Sequence, residues 1–202
     1  DTTILRDILD KTARRLDTEL KDQPAVEAEL RSTIGEVYST LGELQKAEAM
    51  HVSALALRRK AFGNEHPDVA ASAQTLAKVF RTEHKLAESE ALYREALELR
   101  RKLHGNEHPD VANALAGLAA LFEWQRKFVE AEALFREALA MQKKVDGNSH
   151  PRVASALQAL AYCLRKEGKL DEAEKNLREA LAIRRSLQAS LSARRRKMSP
   201  RD

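Results

Sequence analysis

Apolar and polar positions along this chain follow the period of a helix rather than that of a strand. Ile4, Leu5, Ile8, Leu9, Ala13, Leu16 and Leu20 form one stripe with charges opposite, the pattern of a helix with a single buried face. From Pro24 onward the same period returns in longer stretches. Gly63, Gly105 and Gly147 stand where a helix would end, because glycine takes positive φ without steric cost. Pro67, Pro109 and Pro151 follow and suit the first turn of a new helix, where no backbone donor is needed. Asp68 and Asp110 come next, against the positive end of the helix dipole. This punctuation predicts A helices over about 24–41, 67–83, 109–125 and 151–167. B helices are predicted over about 44–62, 86–104, 128–146 and 170–190.

The stretches are copies of one another. Gly63-Asn-Glu-His-Pro-Asp-Val-Ala70 recurs as Gly105 to Ala112, and loosened as Gly147-Asn-Ser-His-Pro-Arg-Val-Ala154, at a step of 42 residues. A second signature keeps that step: Tyr93-Arg-Glu-Ala-Leu97, Phe135 to Leu139 and Leu177 to Leu181, with a weaker copy at His51-Val-Ser-Ala-Leu55. In the A helices Ile34, Leu76, Leu118 and Leu160 are each followed by a small residue: Gly35, Ala77, Ala119 or Ala161. In the B helices Ala47, Ser89, Ala131 and Ala173 precede Ala54, Ala96, Ala138 and Ala180. Small residues at these places let helix axes approach while larger neighbours fill the hollows. Repeats of this length mean a stack of helix pairs, each burying its apolar face against the next.

The pattern resembles the tetratricopeptide repeat (TPR). Its length and its His-Pro-Asp-Val-Ala joint resemble more narrowly kinesin light chain and its bacterial relatives, over Pro24 to Leu187. The resemblance implies an all-α fold, a right-handed α–α superhelix (TPR solenoid) of four helix pairs with an N-terminal capping helix. The cap would occupy residues 1–22 and the solenoid 23–190, in units of about 24–65, 66–107, 108–149 and 150–190. Residues 191–202 read as a basic, disordered tail. The implied function is a protein-interaction scaffold that binds a peptide or domain on the concave surface lined by the A helices. The lead-in with Gln23-Pro24 is similar to segments preceding such arrays in bacterial multi-domain proteins, some carrying protein kinases. A regulatory or targeting segment of a signalling enzyme is therefore one alternative, and a self-assembly module another. The opening at Asp1 rather than Met reads as a cut from a longer polypeptide.

Composition agrees with helix: 33% of residues are charged and only 4% aromatic. The net charge of +4 points toward nucleic acid only until it is located. Arg194, Arg195, Arg196, Lys197 and Arg201 against Asp202 supply all of it, leaving the rest neutral. With no aromatic platform beside it, that tail gives no expectation of nucleic-acid binding. No apolar run is long enough for a membrane span. The single Cys163 fits a reducing, cytoplasmic setting.

Turning each A helix at 100° per residue selects the face opposite the core. The candidate partner-binding residues on it are Gln74, Lys78, Arg81, Asn113, Glu123, Trp124, Gln158, Tyr162, Arg165 and Lys166. Tyr162 and Trp124 would act as apolar anchors, and Lys78, Arg81, Arg165 and Lys166 would meet acidic groups of a partner. Glu36, Ser39, Thr40 and Thr82 share the same rows. Kinesin light chain-like units carry adjacent Asn residues before the A-helix Leu; here Gln74 and Gln158 are the nearest substitutes. His66, His108 and His150 are read as joint residues that set helix entry, not as metal ligands. His51, where sister units carry Tyr93, Phe135 and Leu177, is expected to be packed. Cys163 falls in an apolar column with Val37, Val79 and Leu121 and reads as a buried thiol. No phosphate loop, nucleophile set or carboxylate pair stands out, so no catalysis, cofactor or small-molecule substrate is expected. The basic residues Arg58-Arg59-Lys60, Arg100-Arg101-Lys102 and Arg184-Arg185 are read as complements to B-helix C-termini. Leu177, Leu181 and Leu187 on the last helix lack a following A helix, so either a weak homodimer through that end or further repeats beyond Asp202 are expected.

Overall fold

The computed structural model describes residues 2–198, with side chains except at 17 and 193–198. All regular structure among the described residues is helical: α1 (Thr2–Glu19), α2 (Pro24–Thr40), α3 (Leu44–Phe62), α4 (Pro67–Thr82), α5 (Leu86–His104), α6 (Pro109–Trp124), α7 (Phe128–Asp146), α8 (Pro151–Lys166) and α9 (Leu170–Met198). The A helices are α2, α4, α6 and α8. The chain divides into two compact units, residues 1–103 and 104–202. Each holds two A–B hairpins.

The joints follow from their sequence. The side chains of His66, His108 and His150 cap α4, α6 and α8, each Nδ1 accepting at 3.2 Å from the backbone N–H of Asp68, Asp110 or Arg152. Proline then occupies the first turn, where its missing N–H costs nothing. Inside each hairpin the A helix closes by a six-residue bond, such as Lys85 N–H to Phe80 O at 2.8 Å and Lys127 N–H to Phe122 O at 2.8 Å. This closure demands positive φ at one residue. Gly42 and Gly168 supply it freely, whereas His84 and Arg126 adopt φ of 60° and 62° with a side chain attached.

In the first unit, Leu9 and Leu16 of α1 pack with Ile34, Tyr38 and Ala47. Tyr38 Oη donates to Asp10 Oδ1 at 2.5 Å, and Lys46 Nζ reaches the same carboxylate at 2.8 Å. Only part of the α1 stripe is used, since Ile4 and Ile8 stay exposed. Val69, Ala73 and Leu76 of α4 meet Ala96 and Leu99 of α5. Ser89 keeps its small-residue position without penalty because its buried hydroxyl donates to Ala77 O at 2.7 Å. In the second unit, Phe135, Leu157, Leu160, Leu164 and Ala180 form the centre. The last helix departs from expectation: α9 runs to Met198, so residues 191–198 continue the helix instead of forming a tail. Residues 199–202 lie outside the described residues. Leu177 and Leu181 are exposed there, while Leu187 packs on the core.

Candidate functional site: a cleft between A helices in each unit

Each unit has a cleft where two successive A helices face one another. In the first it lies between α2 and α4 and holds about 350 Å³. Glu36, Ser39 and Thr40 form one wall, Thr75, Lys78, Val79 and Thr82 the other, with Leu44 and His51 of α3 behind. In the second, between α6 and α8, it holds about 240 Å³ and is lined by Glu123, Trp124, Arg126, Phe128, Tyr162 and Lys166. Five of these are the counterparts, two repeats on, of Ser39, Thr40, Leu44, Lys78 and Thr82.

The second-unit cleft is aromatic and cationic. Trp124 is 49% and Tyr162 42% exposed, large apolar surface left in water. The Arg165 guanidinium sits 5.1 Å and the Lys166 ammonium 5.2 Å from the centre of the Tyr162 ring, within cation–π reach. Arg165 and Lys166 have no carboxylate partner among the described residues.

The first-unit cleft is polar, and its floor is unusual. His51 is only 3% exposed, and its ring forms no hydrogen bond among the described residues. Burial holds its pKa below the ordinary histidine value, with Glu36 pulling upward and Arg58 adding to the depression. The ring fits because Gly35 faces it: a Cβ there would stand 2.7 Å from His51 Nε2. Ser39 Oγ is buried beside it without a partner. The Thr40, Thr75 and Thr82 hydroxyls donate to their own helix carbonyls, leaving lone pairs as acceptors.

The remaining sequence-selected residues fall into distinct settings. Lys78 lines the first cleft; Glu123, Trp124, Tyr162 and Lys166 share the second. Arg81 is half-buried and Asn113 exposed on α6. Gln74 accepts from Arg100, and Gln158 Oε1 accepts from Arg184 Nη2 at 2.5 Å, so both amide oxygens are already engaged.

Those bonds revise the reading of the basic residues on the B helices. Arg58 bonds Ser32, Arg100 bonds Gln74 and Arg184 bonds Gln158, always 26 residues back. Where the partner position is Ala116, the B helix carries Gln142 instead. Arg59 pairs with Glu95 at 2.5 Å and Lys143 with Glu179 at 2.7 Å, both 36 residues on. These cations serve packing between helices more than the dipole at a helix end. The A-helix cations Lys78, Arg165 and Lys166 are not consumed in this way.

One histidine escaped the joint-by-joint reading. His104 stands four residues before His108, and with Asp110 their ligand atoms gather within 4.8 Å. The two rings stack at 4.1 Å with 15° between planes. Parallel stacked imidazoles direct their in-plane lone pairs side by side rather than at a common ion. His108 Nδ1 is moreover occupied by the Asp110 N–H. Phe62 stacks on His66 in the same way, so a packed joint accounts for the arrangement. Cys163 is buried, and burial with the nearby Glu167 pushes its thiol up to about 12.

Matches to a family model described as tetratricopeptide repeat span residues 26–102, 77–144 and 110–186. The chain is a tetratricopeptide-repeat protein. In fold, this TPR chain is similar to BtubC (BKLC) from P. vanneervenii at 23% identity and a TM-score of 0.75, over 91% of this chain and 73% of that one. It is similar also to a Podosopora anserina protein described as a kinesin light chain with nearly identical TPR-like repeats, at 22% identity and a TM-score of 0.72, over 90% and 86%. The Rap protein solved with competence and sporulation factor shares 18% identity with a TM-score of 0.71, over 85% of this TPR chain and 46% of that one. No match was found among curated proteins. No described helix of the TPR chain is long and apolar enough to cross a membrane.

Proposed function

We propose that this TPR chain is a non-catalytic protein-interaction scaffold, and that it holds a partner peptide or domain on its A-helix faces. The observation that carries this is the second-unit cleft. Trp124 and Tyr162 stand exposed in one recess, and exposed aromatic residues of this kind are the side chains that dominate interface energy. Arg165 and Lys166 flank them with no ion pair among the described residues, and with Arg126 they outnumber the single carboxylate of Glu123, which favours an acidic partner. Asn113, Glu123 and Gln158 would contribute polar contacts in this unit, and Gln74, Lys78 and Arg81 would do so on the A-helix face of the first. A lone buried free cysteine suits the cytoplasm, the compartment proposed for it.

The test is capture of partners by the immobilised chain, compared with a Trp124→Ala/Tyr162→Ala variant of unchanged helix content. Loss of a captured protein by at least about tenfold is expected, the scale of a hot-spot truncation. Equal capture by the variant would move the site off this face. A second reading, self-association through α9, rests on exposed Leu177 and Leu181. A sedimentation coefficient that stays constant over a hundredfold concentration range would remove it.

A further inference from the structure

The first-unit cleft has a different chemistry from the aromatic one, its walls and floor being lined largely by polar groups. Glu36 on α2 and Lys78 on α4 both line it, and neither forms an ion pair among the described residues. Below them lie the ring of His51, which opens on the cleft and forms no hydrogen bond among the described residues, and the buried, unpartnered hydroxyl of Ser39. Buried polar groups are normally satisfied, since an unmet donor or acceptor costs roughly 1–3 kcal/mol. One such orphan beside an imidazole that opens on the cleft without a bond marks a place where a ligand would supply the missing partners. The feature is peculiar to this repeat: sister units fill the His51 position with Tyr93, Phe135 or Leu177 and the Gly35 position with alanine.

We infer that this cleft is a side-chain pocket for a neutral carboxamide, the Gln or Asn side chain of a partner segment. One carboxylate and one ammonium on opposite walls sum to zero charge, so a charged side chain would meet repulsion from one wall. A carboxamide offers N–H donors to Glu36 and a carbonyl acceptor to Lys78, and its remaining valences suit the imidazole and hydroxyl beneath. Held neutral by burial, His51 keeps one donor and one acceptor nitrogen. An aliphatic side chain would leave every one of these groups unmet. The volume stands at the lower end of the roughly 300–1,000 Å³ typical of ligand pockets, appropriate to one side chain.

This inference rests on the scaffold reading and deepens it. Its test uses the full chain with histidine-labelled NMR and four capped alanine pentapeptides carrying a central Gln, Glu, Arg or Leu. The Gln peptide is expected to shift the His51 ring resonances saturably, with a Kd at least about tenfold below the other three, the discrimination of a site built for hydrogen bonds. Ser39→Ala, Glu36→Gln and Lys78→Met should each weaken it several-fold, while Val129→Ala, at an exposed residue of α7, should leave it unchanged. The double variant Gly35→Ala/His51→Phe should abolish it; should that variant fold poorly, weakened binding by Ser39→Ala decides the same question. Equal binding of the Leu peptide, or no movement of His51 with any peptide, overturns the assignment. Partner capture that depends on Trp124 and Tyr162 would survive such a failure, which separates this claim from the scaffold reading.

Discussion

The cleft between α2 and α4 and the one between α6 and α8 are built on the same backbone plan and filled by different chemistry. Ser39, Thr40, Leu44, Lys78 and Thr82 in the first become Glu123, Trp124, Phe128, Tyr162 and Lys166 in the second, and the His51 position is taken by the buried Phe135. The substitutions are coupled. Phe135 shares a core with Ala119, the counterpart of Gly35, whereas the His51 ring needs Gly35, because a Cβ there would press into it at 2.7 Å. Repeats thus hold helix positions constant while facing residues change together, and the cleft of each unit acquires its own lining.

Moving the polar residue into the aromatic frame should have the largest effect. Phe135→His, with Ala119 retained, loses apolar burial and leaves an unmet imidazole, and should cost about 3 kcal/mol. Urea denaturation followed by circular dichroism measures this, and a cost below about 1 kcal/mol would mean that the two slots are interchangeable. Gly35→Ala should destabilise by about 1 kcal/mol net, overpacking against His51 being partly offset by better helix propensity. Adding His51→Phe should recover that loss, since it recreates the alanine–aromatic pairing of the sister units; a double variant as unstable as Gly35→Ala would break the coupling.

A smaller effect distinguishes the clefts by pH. Burial lowers the pKa of His51 in the folded protein, with Glu36 on α2, Arg58 on α3 and Lys78 on α4 as the charges around it. The unfolded chain therefore binds more protons between that lowered value and the ordinary histidine value of about 6.5. Stability from this group is present above about 6.5 and is lost as pH falls through the folded value. Chemical denaturation from pH 7.5 to 5 should show a steeper decline for the native chain than for Gly35→Ala/His51→Phe. Parallel profiles would place the ring in water. The smallest effect belongs to Cys163, the counterpart of Val79. Cys163→Val should change stability by less than about 1 kcal/mol. With its thiol pushed up to about 12, native protein should resist thiol reagents at pH 8 and react only on unfolding; rapid native labelling would contradict its burial.

Helix positions were legible because glycine, proline and a 42-residue step act locally, and the A helices begin at Pro24, Pro67, Pro109 and Pro151 as read. Membership of Lys78, Trp124, Tyr162 and Lys166 in the A-helix clefts followed from helical turning alone. What escaped was pairing across repeats. Arg59 with Glu95 and Arg58 with Ser32 join residues 36 and 26 positions apart, which no helical period connects. Gly35 and His51 each stand out against their sister positions, but neither column shows that the two side chains face one another. His104 escaped for a related reason: its column holds Phe62 and Asp146, so comparison of the recurring joint histidines passes over it. The end of α9 was misjudged because a basic composition was read as a chain end, although arginine and lysine are good helix formers.

The ion pairs that link successive repeats carry a consequence for changes in chain length. Arg59–Glu95, Arg136–Glu172 and Lys143–Glu179 all span 36 residues, while Lys85–Glu48, Lys102–Glu65, Lys144–Glu107 and Lys169–Glu132 span 37. Each bond is a modest surface contribution, but together they record a fixed distance along the chain. Duplication of a whole 42-residue block delivers every cation opposite a carboxylate again. Insertion of three or four residues within a B helix would instead carry one side of the ladder past the other and set like charges together. The array can therefore grow or shrink in whole repeats, and resists intermediate lengths.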